Sequence, residues 1–229
     1  MEKLIYVLKL PDEAGRTALA ARLLDEVIPF AREKGASDIT VNVADLDHRM
    51  STPQTLTPRI YGEWSPIAGV IHFWLDSLDD REPIERALSG LCRPEGYLVT
   101  ESIVQKHAPT WSEGERRPGV TQVALGQKPR WASDEHFYHH WQVVHSAWSF
   151  DLHPHRQSYV RNAVARVLTP SAPKLAFIVL EHFAEMAHFT DESLYYRSAE
   201  HVQRLWAEVP DFLDLESYTG GPASEYHFE

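Results

Sequence analysis

The chain has 229 residues, of which 43% are hydrophobic and 24% charged, the balance of a globular protein and not of a disordered, collagen-like or coiled-coil chain. That length suits one long domain or two half-sized units. With 22 Lys+Arg against 33 Asp+Glu the net charge is -11, so no cationic surface is available to track phosphates and nucleic acid is not an expected partner.

Compartment follows from two absences. The single cysteine, Cys92, cannot form an internal disulfide and suits a reducing environment. The opening MEKLIYVLKLP leaves only seven residues between Lys3 and Pro11, too short for a signal segment with a cleavage site. No window approaches the roughly 18 apolar residues of a membrane span. A cytoplasmic protein with no membrane partner is expected.

Taken in chain order, Leu4 to Leu10 is a β-branched and aromatic run that predicts a strand closed by a turn at Pro11. Asp12 stands as a helix N-cap, and Leu19, Leu23, Val27 and Phe30 recur at helical spacing up to Lys34 and Gly35. Pro29 falls inside this pattern, so a kink or an early end of regular bonding is expected. Asp38 to Leu46 alternates as a half-buried strand, and residues 47–66, rich in Pro, Thr and Ser, read as a long loop. Ile67 to Leu75 is apolar on both parities, a strand covered on both faces. A short helix over Arg81 to Leu91 and a strand over Gly96 to Val104 complete the first half.

The same order then returns. Val120 to Lys128 reads as a strand, Asp134 to Trp148 as a helix, Arg156 to Leu168 and Lys174 to Phe183 as strands, Ser198 to Phe212 as a helix and Ser217 to Phe228 as the last strand. The candidate caps Asp12 and Asp134 lie 134 - 12 = 122 residues apart, about half the chain. An internal duplication is the economical reading. Residues 1–107 and 120–229 form the two copies, and the Pro- and Gly-rich stretch 108–119 joins them. Each βαββαβ copy is the ferredoxin-like plan, whose bare sheet face needs cover. Two such sheets in one chain can cover each other, which predicts an α+β fold: tandem ferredoxin-like units forming a barrel-like sandwich with helices outside.

The second half carries the chemistry. On a helix of 3.6 residues per turn, Tyr138, Trp141, His145 and Trp148 share one stripe, with Phe137 beside it, so His145 faces the sheet. The strand Tyr159-Val160-Arg161-Asn162 follows. Together Asp134, Phe137, Trp141, His145 and this Tyr-Val-x-Asn strand resemble the EthD family. The likeness is confined to the second half; the position 122 residues before His145 is Leu23, and Ala163 stands where the family often has a second His. The resemblance implies a dimeric α+β barrel protein acting, without a cofactor, on a small hydrophobic or aromatic metabolite of a catabolic or polyketide-type pathway. It implies His145 as the catalytic residue and Tyr138, Trp141, Tyr159 and Asn162 as substrate contacts.

Each of these has a plainer reading. His145 in a desolvated site could serve as a neutral base, or it could be a core histidine bonded to a backbone carbonyl. Tyr159 and Asn162 lie three apart and so point to opposite faces unless a bulge intervenes; Asn162 shares its parity with Val160 and Val164 and must find a partner. Glu181 and His182 interrupt an apolar strand, which could mean a carboxylate orienting an imidazole, or a strand end turning to solvent, the preferred reading.

Ten of the 13 histidines lie in the second half, a distribution that raises the question of a metal. His136 and His140 have the spacing of a clasp but lack a third ligand; His153 and His155 are loop candidates, and no metal site is expected. A haem protein of the chlorite dismutase type, with His145 or His188 as axial ligand, is a third functional reading. A binding module without turnover is the second. Seven Trp and nine Tyr, among them Trp74, Trp141, Trp148 and Trp206, would wall a pocket for a flat apolar or phenolic molecule, or simply fill two cores. Nucleotide-cradling glycine loops and GxSxG are absent. Pairing within one chain permits a monomer, and a homodimer through helices or strand edges stays open.

Overall fold

The computed structural model describes residues 1–10, 15–108 and 110–229; the turn expected at Pro11 and the cap expected at Asp12 lie outside the described residues. The strands are β1 Glu2–Lys9, β2 Ser37–Val43, β3 Ile67–Leu75, β4 Arg93–Gln105, β5 Val120–Gly126, β6 Arg156–Val167, β7 Phe177–Phe183 and β8 Thr219–Phe228. They close into one antiparallel barrel in the order β1-β3-β2-β8-β5-β7-β6-β4. The halves of the chain are therefore stitched edge to edge, at β2–β8 and β4–β6, and not stacked as two separate sheets. Closure leaves no free strand edge in the ring.

Alternation explains why the strands look apolar on both parities. In β1, Leu4, Tyr6 and Leu8 pack outward beneath helices, while Ile5 and Val7 point into the lumen with Val70, Val123 and Leu180. Burial on both sides removes the polar face that a half-exposed sheet would show.

The helix over β1 to β3 runs as α1 Arg16–Arg22, a π-helical turn Leu23–Val27 and α2 Ile28–Glu33. The Pro29 expectation resolves here. Ile28 N bonds to Leu23 O, one residue further back than in an α-helix, and this wider turn accommodates a residue with no N–H and a bulky ring. A second cover helix is α3 Glu82–Ser89.

In the second half α4 Asp134–Tyr138 passes through a π-helical segment His139–His145 into α5 Ser146–Leu152. Its N-cap is Ser133, whose Oγ accepts from His136 N at 3.1 Å, one residue earlier than the Asp134 expected. The stretch after β7 holds two short helices, α6 Met186–Thr190 and α7 Glu192–Tyr195, before α8 Ala199–Glu208 and a 3₁₀ turn Val209–Asp211. Sequence periodicity could not find α6 and α7, which are shorter than two helical turns.

Each end of the barrel is stoppered. At one, Trp64 is buried, donates to Asp47 Oδ1 at 3.0 Å and lies so close to Gly221 that a Cβ there would fall 2.3 Å from its ring. At the other, Arg117 reaches in to Glu225 and Ser158. Among the described residues no helix is long and apolar enough to cross a membrane.

Candidate functional site

A cavity of about 120 Å³ lies outside the barrel, between the outer faces of β5, β6 and β7 and the helices α4, α5 and α8. Strand register builds its floor. Tyr159 pairs with Glu181 across β6–β7, and Glu181 pairs with Gln122 across β5–β7, so three polar side chains form one row beneath the helices. Ala124, Phe177 and Val179 continue that face as an apolar surface. Trp141, Leu205, Val209 and Phe212 form the roof. Tyr61, Tyr195, Tyr196 and Tyr218 line it too, and Trp206 (41% exposed) with Leu215 marks the side open to solvent.

His145 enters at the end of the π-helical segment. Its ring lies 4.8 Å from Phe212 and 5.5 Å, edge-on, from Trp148, and its side chain is 14% exposed. Nδ1 faces Glu208 Oε1 at 3.6 Å, too long for a hydrogen bond, and among the described residues neither atom has another partner. Glu208 Oε2 accepts from the Trp148 indole. Burial pushes the Glu208 carboxyl up, but His145, Trp148 and Arg204 more than offset it, and the group stays below the usual carboxylate range.

The π-helical segment also decides which neighbours accompany His145. It widens the turn, and Ser146 Oγ bonds to Trp141 O five residues back. Phe137, Trp141 and His145 therefore follow one another down the inner face, with Phe137 and Trp141 stacked at 5.2 Å. Tyr138 is displaced from that stripe and is 37% exposed, so the structure corrects its expected place beside the substrate. An ideal 3.6-residue wheel puts Tyr138 in phase with His145; the extra residue per turn does not.

The parity question at Tyr159 and Asn162 also has an answer. Register runs unbroken from Ser158 to Ala163, so no bulge separates them. Tyr159 is buried under the helices, whereas Asn162 points into the lumen, donates Nδ2 to Ile178 O at 3.1 Å and leaves Oδ1 without a partner. Asn162 is thus not a lining residue of this cavity.

Glu181 does not turn to solvent. A bulge between Arg156 and Ser158 puts Arg156 on the same face, where its guanidinium binds Glu181 and lies 4.2 Å over the Tyr159 ring. Burial raises the Glu181 carboxyl, but Arg156 and then His153 outweigh this and hold it below its usual range. His182, next in the chain, faces the lumen instead, where its ring nitrogens meet Thr121 Oγ1 and Pro118 O.

The sequence marks His153 only as a candidate loop ligand for a metal. It lines the cavity with Nδ1 donating to Tyr195 O at 2.9 Å, and burial lowers it to about 4, with Glu181 opposing the shift. It is neutral near pH 7. Glu208 and Gln122 had no sequence signal at all, since each comes to the site through a helix or strand pairing distant in the chain.

The remaining candidates lie elsewhere. His136 and His140 stack at 4.1 Å on the outer side near Asp211, and His155 stacks on His188 at 4.3 Å away from the cavity. Among the described residues no three His, Cys, Asp or Glu side chains group as metal ligands. Trp74 is half-buried on β3 and does not border the cavity. Burial pushes the Cys92 thiol up to about 12, so it is not a thiolate near pH 7.

Neither a protein-family model nor a curated protein matches the chain. Solved structures match its fold. An anthrone oxidase-like protein shares 8% identity over 99% of this chain and 92% of its own, with a TM-score of 0.60. A candidate monooxygenase from Fusobacterium nucleatum subsp. nucleatum ATCC 25586 shares 9% identity over 100% and 92%, with a TM-score of 0.52. Another from Lactobacillus acidophilus NCFM shares 10% identity over 98% and 93%, with a TM-score of 0.51. At such identities the likeness is one of fold: an α+β chain closing an antiparallel barrel with helices outside.

Proposed function

We propose that this chain is a cofactor-independent enzyme of the EthD type that removes a proton from a single-ring phenolic or similarly activated aromatic metabolite. One observation carries the reading: His145 Nδ1 and Glu208 Oε1, two buried polar atoms without other partners among the described residues, face each other across 3.6 Å at the wall of an apolar cavity. A small closing movement lets Nδ1–H donate a hydrogen bond to the carboxylate. That fixes the tautomer and leaves Nε2 with a free lone pair, the arrangement of a base and its orienting group.

The step balances simply. Nε2 takes the phenolic proton, the ring becomes a phenolate, and the imidazolium is stabilised by Glu208. Electron density then rises at the ring carbons, which prepares them for decarboxylation, dehydration or addition of dioxygen. Trp141, Phe177 and Phe212 hold the ring by apolar contact, and Tyr159 with Gln122 offers polar contacts on the floor.

Size narrows the class. A dry cavity of about 150 Å³ holds one benzene ring, so 120 Å³ has room for no more than one ring, with its outer edge and substituents directed past Trp206 and Leu215. A fused three-ring molecule would require α8 to move.

The reading is tested with para-nitrophenol, whose phenolate is coloured. Bound to the protein, it should absorb as phenolate below the pH at which the free phenol ionises. His145→Gln should keep binding within a fewfold and lose that colour, while Glu208→Gln should weaken it. Binding with equal colour in wild type and His145→Gln, or with none in either, would leave a binding module without proton transfer.

We further infer that the halves arose by duplication of one βαββαβ unit, with 1–107 and 120–229 as copies and 108–119 joining them. The strand order supports this, since it reads β4-β1-β3-β2 in one half and β8-β5-β7-β6 in the other.

A further inference from the structure

The lumen of the barrel is apolar along most of its length but not at the end where β1 begins. There the inward positions carry Lys3, His72, Glu101 and Glu225, and Arg117 closes them over, around a cavity of about 110 Å³. The helix-covered site is on the other face of the sheet, so this space is separate from it.

Its fixed charges cancel. Lys3 is bound to Glu101, and Arg117 Nη1 donates to Glu225 Oε1 at 2.9 Å. What remains is a surplus of donors. Arg117, 6% exposed and 4.6 Å from the Trp111 ring, has Nε and Nη2 buried without hydrogen-bond partners among the described residues, and these two atoms form one edge of the guanidinium fork. His72, 8% exposed, has neither ring nitrogen bonded among the described residues. Buried donors left unpaired cost about 1–3 kcal/mol each, so the cavity is built for something that accepts.

Two parallel N–H groups on one guanidinium edge match the two oxygens of a planar oxyanion. An extra negative charge in a neutral, dry cavity is unfavourable unless a positive charge arrives with it. His72 is the group able to take that proton. The charged and titratable groups around it are Lys3 on β1, Asp38 on β2, Glu101 on β4, His182 on β7, Glu225 and His227 on β8, and Arg117. His182 already has both ring nitrogens bonded. With the cavity unliganded, burial first and Lys3 next hold His72 neutral.

We propose that this lumen cavity binds a small planar oxyanion of the carboxylate or nitrate class on the free edge of Arg117, together with one proton on His72. The site is independent of the His145 chemistry.

Thermal unfolding in formate, acetate or nitrate, at constant ionic strength set with chloride, tests it. The midpoint should rise with anion concentration as the logarithm of 1 + [anion]/Kd, and the fitted affinity should fall about tenfold per pH unit above pH 6, because one proton is taken up with the anion. His72→Gln should bind with no pH slope, and Arg117→Lys at least tenfold more weakly. Should either variant fail to fold, the wild type decides alone: ring ¹⁵N spectra should show one histidine passing from neutral to protonated on adding the anion. No rise of the midpoint beyond that in chloride means a cavity holding water only. That result, an unchanged histidine spectrum, a pH slope that survives His72→Gln, or full affinity in Arg117→Lys would each overturn the proposal.

Discussion

Replacing Arg156 by Met probes the floor of the helix-covered cavity more sharply than any other single change. Arg156 is nearly fully buried; it binds Glu181, reaches Ser149 Oγ at 3.2 Å and Gln105 Oε1 at 3.3 Å, and covers the Tyr159 ring. Met keeps much of the volume and removes the charge. Glu181 is then a buried carboxylate without its cation, which costs about 3–5 kcal/mol, against at most about 2 for the lost contact with the ring. The carboxylate dominates. In the wild type the Glu181 carboxyl is held below its unfolded value, so the pair's contribution is present above the unfolded pKa and is lost as pH falls through the folded one. In the variant burial, the largest influence on the group, is opposed only by His153 and His145, and the carboxyl rises; its penalty is full at pH 7 and shrinks as the group takes up a proton. Urea unfolding at pH 7 and pH 5 should therefore show a loss of about 4 kcal/mol that is clearly smaller at the lower pH. Arg156→Met/Glu181→Gln should recover more than half of it. A loss under about 1 kcal/mol, as for surface pairs, an equal loss at both pH values, or no recovery in the double variant would refute the reasoning.

Three further outcomes are expected. His182, lowered to about 4 by burial and then Arg117, resists protonation only when folded, so it removes stability as pH falls from about 6.5 towards 4, roughly 3 kcal/mol over that window. His182→Gln should flatten the pH dependence of the urea midpoint by one proton. Gly221→Ala places a Cβ 2.3 Å from the Trp64 ring and should cost about 1–3 kcal/mol in thermal or chemical unfolding, since a stacked-in indole has little room to move. Ser133→Ala removes the cap on His136 N and should cost about 1 kcal/mol while leaving para-nitrophenol affinity unchanged, as Ser133 does not line the cavity.

What the sequence made legible follows from the range of the interactions involved. Strands such as Ile67–Leu75 and Phe177–Phe183 were readable because burial on both faces leaves a local mark, a run apolar on both parities between turn residues, broken only by His72 in one and by Glu181 and His182 in the other. The closed ring was only half legible. Apolar strands on both parities say that the inner face must be covered, but the β2–β8 and β4–β6 pairings join residues far apart in the chain and leave no periodic signal. His145 and Trp141 were found because they sit on one helix face. Tyr138 was misplaced because a π-helical segment keeps no 3.6-residue phase, and nothing in His139–His145 advertises it. Glu208 was invisible for a different reason: an acidic residue at a helix end is common on surfaces, and only packing of α8 over α5 makes this one a partner of His145. Parity already cast doubt on Asn162 sharing a site with Tyr159, and the unbroken register bears that objection out.

The central claim, that a single aromatic ring sits under α8 with its hydroxyl on His145, is open to direct observation by isotope-filtered nuclear Overhauser spectroscopy of the protein with a para-alkylphenol. Ring protons should show saturable cross-peaks to Trp141 and Phe212, and the His145 ring ¹⁵N signals should move with the same binding curve. Cross-peaks confined to exposed side chains such as Val143 and Phe150, or binding that leaves the His145 signals still, would contradict the account.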